Sequence, residues 1–191
     1  MSDMIPLIFQ QRHILPGGRI PVRIPPGSQM ETFKVALASD NGFGICMFDE
    51  DEHGQHFCYI GTRVTVEDFD ISSQDGALIA TLYGHSNFRI KSLNQADNGV
   101  FYAEPEDIPQ WPDMTLRDDQ QPLAEKLQVM FNNHPELDKL HQTKYLNNLS
   151  WLCQRWLELL PLPAFQKQAL LTAPNCLNTY DYLQSIMQQN H

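Results

Sequence analysis

Long apolar runs, paired cysteine motifs and positive charge are all scarce in this chain of 191 residues. No apolar stretch approaches the ~18 residues that cross a bilayer, so no transmembrane anchor is expected. The opening Met1-Ser2-Asp3-Met4-Ile5-Pro6 has neither a basic segment nor a long apolar one, and no secretory signal is read there. Cys46, Cys58, Cys153 and Cys176 form no CxxC pair, which excludes a zinc knuckle or a dithiol redox motif. Reduced, mostly buried thiols in a cytoplasmic protein are expected instead, because free cysteine packs as a small hydrophobe. Lysine and arginine number 13 against 23 acidic residues, a formal net charge of -10. The deficit is uneven, with 7 basic against 15 acidic side chains in residues 1–110 and 6 against 8 in residues 111–191. Such a surface repels phosphate backbones, so nucleic acid is not an expected partner.

Catalytic signatures are missing too. A P-loop needs GxxxxGK followed by Ser or Thr, so that backbone amides and a lysine hold phosphates, and no such stretch occurs. No GxSxG nucleophile elbow is present either. An enzyme is therefore not the favoured reading, and neither a cofactor nor a metal is expected. What is present is core: 42% hydrophobic against 19% charged residues suffices for one compact domain or two small packed ones.

Along the chain, in the opening stretch Ile5–Ile24, two short apolar runs flank Leu15-Pro16-Gly17-Gly18, which reads as two strands meeting at a corner. Ser28 and Glu31 have the spacing of a capping box, predicting a helix with an apolar face of Met30, Phe33, Val35, Ala36, Leu37 and Ala38 that stops at Asn41-Gly42. Strands are expected over Phe43–Phe48, after an acidic turn at Asp49–Gly54 over Tyr59–Ile71, and over Ala77–Gly84, Asn87–Leu93 and Val100–Pro105. Asp75-Gly76 and Asn98-Gly99 are the turns between them. The proline-rich stretch Pro105–Asp113 reads as a linker, beyond which scarce β-branched residues and abundant Leu, Gln and Lys predict helices. These fall near Asp119–Phe131, capped by Asp118 or Asp119, then from Pro135, over Leu146–Leu160, Ala164–Thr172 and Thr179–Gln189.

Several of these segments together resemble one family. The opening is similar to the "lPLfPLxxvvfPGxxxPLxi" start of the N-terminal substrate-binding domain of Lon proteases. Ile60-Gly61-Thr62-Arg63-Val64-Thr65-Val66 resembles its "vGtxaxi" strand, and Ala80–Ile90, with Gly84 and Arg89, its "vxvxGxxRfxi" strand. Phe101–Glu106 is similar to "yxxAevexl", and Leu157–Leu171 to "lLxllplsxxekqxlLe". Departures are apolar-for-apolar: Leu15-Pro16-Gly17 stands where the family often has Phe-Pro-Gly, and Pro21-Val22 where it has Pro-Leu. The resemblance implies an α+β fold: a PUA-like β pseudo-barrel with a short helix in residues 1–110, then a helical bundle in residues 111–191. It also implies substrate recognition without Lon's ATPase or its Ser-Lys peptidase, which the expected domains leave no room for, in a bacterial, cytoplasmic setting.

Other constellations have plainer readings. His53, His56 and Cys58 fall within six residues, yet no fourth metal ligand is indicated. Asp49–Glu52 lacks the alternating oxygens of a calcium loop and reads as a solvated turn. Glu67, Asp68 and Asp70 show no sign of sharing a pocket for acid–base work. Arg12, Arg19 and Arg23 could make a cationic edge for an acidic peptide or a nucleotide, but ion pairing with local carboxylates is the favoured reading. Trp111, Trp151 and Trp156 are read as packing residues.

The expected function is a protein- and peptide-binding module whose partners are unfolded or extended protein segments, with a Lon-type protease as a further partner. The contact surface is placed on Leu15, Pro16, Ile20 and Val22, rimmed by Arg12 and Arg23. Replacing Leu15 and Ile20 by Asp should then abolish capture with the fold intact. The alternative is a small-ligand binder or enzyme reusing a cleft between barrel and helices.

Overall fold

The computed structural model describes residues 4–40 and 42–189, the Ser28 side chain excepted. The two opening runs are β1 (Ile5–Gln10) and β2 (Arg19–Ile24), followed by α1 (Ser28–Ala38). The N-cap of α1 is Gly27, with no side-chain cap bond, and Glu31 turns to Lys34 at 3.2 Å rather than back to the helix start. The Ser28 side chain, the other half of the expected capping box, lies outside what the structure describes. It ends at Ala38, before the expected stop, of which Asn41 lies outside the described residues.

Next come β3 (Phe43–Asp51), β4 (Gly54–Phe57), β5 (Ile60–Ile71), β6 (Leu78–Gln95) and β7 (Phe101–Asp107). β1 runs antiparallel to β7 and parallel to β3, and the remaining pairs β7–β6, β6–β5 and β5–β3 complete a closed ring of hydrogen-bonded neighbours. Closure removes edges that would otherwise invite aggregation. β2 lies on β6, and β4 on β3.

Two expectations are corrected here. The stretches expected over Ala77–Gly84 and Asn87–Leu93 fall, from Leu78 on, in a single strand, β6, with a bulge where Arg63 pairs Ser86 and Val64 pairs Gly84. Gly84 does not end the strand because the opening corner lies against it: Gly17 N–H donates to Gly84 O and Gly84 N–H to Gly18 O, both at 2.9 Å. Likewise Glu106 and Asp107, read as linker, continue β7, in which Pro105 stands opposite Ile90 and next to a bulge, where a residue without an N–H is tolerated.

A 3-10 turn (Asp118–Gln120) leads into α2 (Gln121–Asn133), α3 (Pro135–Leu140), α4 (Leu149–Leu159), α5 (Ala164–Leu171) and α6 (Leu177–Gln189). Asn148 caps α4, accepting from Ser150 N–H at 3.1 Å. Asp49, expected in a solvated turn, instead accepts the first N–H of α5, from Ala164, at 2.6 Å.

Three apolar clusters position the site. One joins Ile20, Val22 and Phe33 to Ile45 and Leu82 inside the ring. Another joins Leu123, Leu127 and Phe131 of α2 to Leu152 of α4 and Leu183 of α6. The third bridges them, packing Leu15, Met47 and Ile60 against Leu157, Ala164 and Leu171. The result is a mixed structure in which a strand-rich sheet packs against helices through its opening corner.

Candidate functional site

At the corner, the apolar residues face inward. Leu15 is fully buried, Val22 is 2% and Ile20 6% exposed. This corrects the expectation of an open contact surface: alternation along β2 sends Ile20 and Val22 into the ring, and the helices cover Leu15. Pro16 is half-buried, and Arg12 and Arg23 are exposed. The arginines divide by pairing. Arg19 holds Glu67 at 2.7 Å and lies over the Tyr83 ring, and Arg23 pairs with Asp75. Arg12 has no ion pair among the described residues and keeps its charge free at the rim of a cleft.

That cleft, of about 360 Å³, opens between the corner and helices α2, α3 and α4. Pockets of this size hold small ligands or single side chains with their neighbours. Its apolar wall is Met130, Phe131, Leu137, Leu140 and Leu159, with the edge of Ile20 opposite. Its polar floor is His13, His141, Arg155 and Glu158. α4 supplies Arg155 and Glu158 on one face by their i,i+3 spacing.

These charges are tightly engaged. Arg155 Nε donates to Glu158 Oε1 at 2.6 Å, and Arg155 Nη2 donates to Pro16 O at 2.7 Å. Glu158 Oε2 accepts the Leu15 N–H at 2.8 Å. Burial pushes the Glu158 carboxyl up from the ordinary range, while Arg155 and the Leu15 N–H pull it back. Lys167, also buried, is pushed down to about 8 by desolvation, with Glu158 opposing.

The imidazoles are held neutral. Burial, and then Lys167, lowers His13 to about 3. Burial, and then Arg155, lowers His141 to about 4. Among the described residues, both ring nitrogens of His13, Nε2 of His141 and Nη1 of Arg155 are buried without a hydrogen-bond partner. Each such group costs ~1–3 kcal/mol.

The other candidates sit elsewhere. His56 bonds Asp51 at 3.0 Å on the exposed β3–β4 hairpin, and His53 is exposed beside it. Cys58 is buried, and desolvation raises it to about 11 and Cys46 to about 12, so neither is a ready thiolate. All four cysteines are free and buried. Trp111 and Trp156 pack on the helical cluster, their indole N–H groups donating to Ala173 O and Leu123 O. Sequence reading missed His13, His141, Arg155 and Glu158. The available signal was a pair of opposite charges at helical spacing within the apolar run of α4.

A ring of strands with a cleft-forming helical cover defines the chain as a Lon N-terminal type of domain. The family model described as the ATP-dependent protease La (LON) substrate-binding domain matches residues 4–189, and the chain belongs to that family. It is similar in structure to a Lon N-terminal domain protein from Xanthomonas campestris, with 26% identity and a TM-score of 0.71, covering 95% of this chain and 97% of that one. The N-terminal domain of a Mycobacterium avium complex Lon protease shares the fold at 16% identity and a TM-score of 0.62, covering 95% of this chain and 96% of that one. No curated protein matches the chain.

Proposed function

We propose that the chain is a non-catalytic peptide-binding module that holds extended or unfolded protein segments in the cleft between the corner and α2–α4. The supporting observation is an apolar, open-sided cleft with Arg12, exposed and without an ion pair among the described residues, at its rim. Membership of the substrate-binding family favours a polypeptide occupant. On this reading residues 1–110 form a PUA-like pseudo-barrel, residues 111–191 a helical unit, and the seam between them is the binding site. The setting is the bacterial cytoplasm, and a Lon-type protease is a further partner to which clients are passed.

Arg12 and the Ile20 edge are the surviving contacts from the corner. Leu15, Pro16, Val22 and Arg23 are not among the residues that line the cleft. The test is binding of fluorescein-labelled casein, which is unfolded under native conditions. Wild-type protein should bind it, and Leu140→Glu, which places a charge on the half-buried cleft wall, should weaken binding at least tenfold with an unchanged melting profile. Undiminished binding by that variant would move the site elsewhere.

A further inference from the structure

The far half of β5 has a free edge. β3 pairs with β5 only as far as Val64, so from Val66 to Ile71 the strand has β6 on one side and, among the described residues, no strand on the other. The Ser72 N–H donates to Ala77 O at 2.8 Å, on the β6 side. By the alternation of an antiparallel ladder, the N–H and C=O groups of Phe69 and Ile71 then face the free edge. Both of these N–H groups are taken by the preceding carboxylates: Phe69 N–H donates to Asp68 Oδ1 at 2.9 Å, and Ile71 N–H to Asp70 Oδ1 at 2.8 Å. What the edge keeps for a partner is carbonyl and carboxylate oxygen, so it offers acceptors and no donors.

Apolar surface lies beside those acceptors. Phe69 pairs in register with Ala80, and Ile71 with Leu78, which puts both side chains on the face that β2 continues with Val22 and Ile24. That face is the interior of the ring, covered by α1, whose Phe33 meets Phe69 edge-on with ring centroids 6.3 Å apart. The cover stops short: Phe69 is 51% and Ile71 69% exposed, and Leu37, one turn beyond Phe33, is 44% exposed. Arg19 and Arg23 of β2 are taken by Glu67 and Asp75, while Asp68 and Asp70 meet no cation among the described residues.

An added strand does not fit this edge, because it would need the N–H groups that Asp68 and Asp70 hold, and its own carbonyls would face those carboxylates. A second copy brings the same acceptors and a net charge of -10. Nucleic acid is repelled likewise. Guanidinium and ammonium groups carry donors only, and a guanidinium also lies well on an aromatic ring. We infer that the free edge of β5 is a docking surface for a basic, apolar polypeptide segment, in which an arginine or lysine bonds the oxygens of the edge while a neighbouring apolar side chain covers Phe69 and Ile71. The surface shares no residue with the cleft between the corner and α2–α4, and the two readings stand or fall separately.

The test uses the whole chain and two fluorescein-labelled pentapeptides, one alternating leucine with arginine and the other leucine with glutamate. The arginine peptide should bind at least tenfold more tightly, and its affinity should fall as salt is raised. Asp68→Asn combined with Asp70→Asn keeps a side-chain oxygen for each N–H and removes the charges; it should weaken the arginine peptide roughly fivefold, as two exposed ion pairs allow. Ile71→Ser, at an exposed position, should weaken it too, with an unchanged melting profile. Equal binding of the two peptides, or an arginine peptide indifferent to these variants, would overturn the inference. So would weaker binding of the arginine peptide to Leu140→Ser, which would place it in the cleft, or a wild-type dimer in sedimentation that Ile71→Ser dissolves, which would give the patch to a second copy.

Discussion

The backbone N–H of Leu15 donates to Glu158 Oε2 at 2.8 Å, across 143 residues of chain. The same carboxylate is bonded to Arg155, whose Nη2 reaches the Pro16 carbonyl, so the backbone of the opening corner is clasped by one turn of α4. The cleft owes its shape to this clasp, since its two walls are the corner and the helices behind it.

Breaking the clasp from one side leaves a buried charge alone, which costs ~3–5 kcal/mol. Glu158→Ala and Arg155→Ala should each lower the unfolding free energy by that order, read from urea unfolding curves. The double variant Arg155→Leu with Glu158→Leu should lose clearly less than the sum of the single Leu variants, because no charge is then stranded. Strict additivity in that cycle would show the pair to be independent.

Acid should destabilise the fold before it protonates most carboxylates. His13 and His141 ordinarily titrate near 6.5 and are held at about 3 and about 4 in the fold, first by burial. Their contribution is complete above pH 6.5 and lost as pH falls toward the folded values, several kcal/mol in all. Glu158, raised by burial, works the other way, its contribution being greatest at low pH. Urea unfolding between pH 7 and pH 4 should therefore show stability falling with acid. His13→Phe and His141→Phe should each flatten the slope, and an unchanged slope in both would remove the imidazoles from the account.

Two glycines are required by close approach. A Cβ on Gly18 would lie 1.9 Å from Glu158 Oε2, and one on Gly84 would lie 2.4 Å from the Leu15 carbonyl oxygen. Gly84→Ala meets backbone, which cannot swing aside, and should cost at least the ~1–3 kcal/mol of an overpacked core. Gly18→Ala displaces the Glu158 carboxylate and should also lower casein affinity. Thermal melts of both variants, with casein binding at a temperature where each is folded, decide the point.

Leu15→Asp separates support from contact. Leu15 is fully buried. Its truncation alone costs ~2–5 kcal/mol, and the buried charge adds to that, so the variant should be largely unfolded by circular dichroism. Arg12→Glu should leave the melting profile unchanged, since Arg12 is exposed and without an ion pair among the described residues. A well-folded Leu15→Asp protein would contradict the burial of the corner.

Order and type of the elements were legible because they are local. Alternation marked the strands, turn residues such as Asp75-Gly76 marked the hairpins, and the i,i+3/i+4 stripes of α2 and α4 marked the helices. The single strand β6 was not legible: Gly84-His85-Ser86 reads as a break until the corner is seen to hydrogen-bond it. The inward turn of Leu15 was hidden for the same reason, as its cover, Leu157 and Leu171, lies far along the chain. The polar floor of the cleft was invisible to pattern reading. Its residues come from the corner, the end of α3 and α4, and only the fold brings them to one place.

The measurement closest to the central claim is hydrogen–deuterium exchange of the whole protein with and without saturating casein. Slowed exchange should concentrate in residues 12–21 and 130–141, the two walls of the cleft. Protection confined to the exposed apolar residues Phe69 and Ile71, or to the surface of α5 around Phe165, would contradict the account by placing the client outside the cleft.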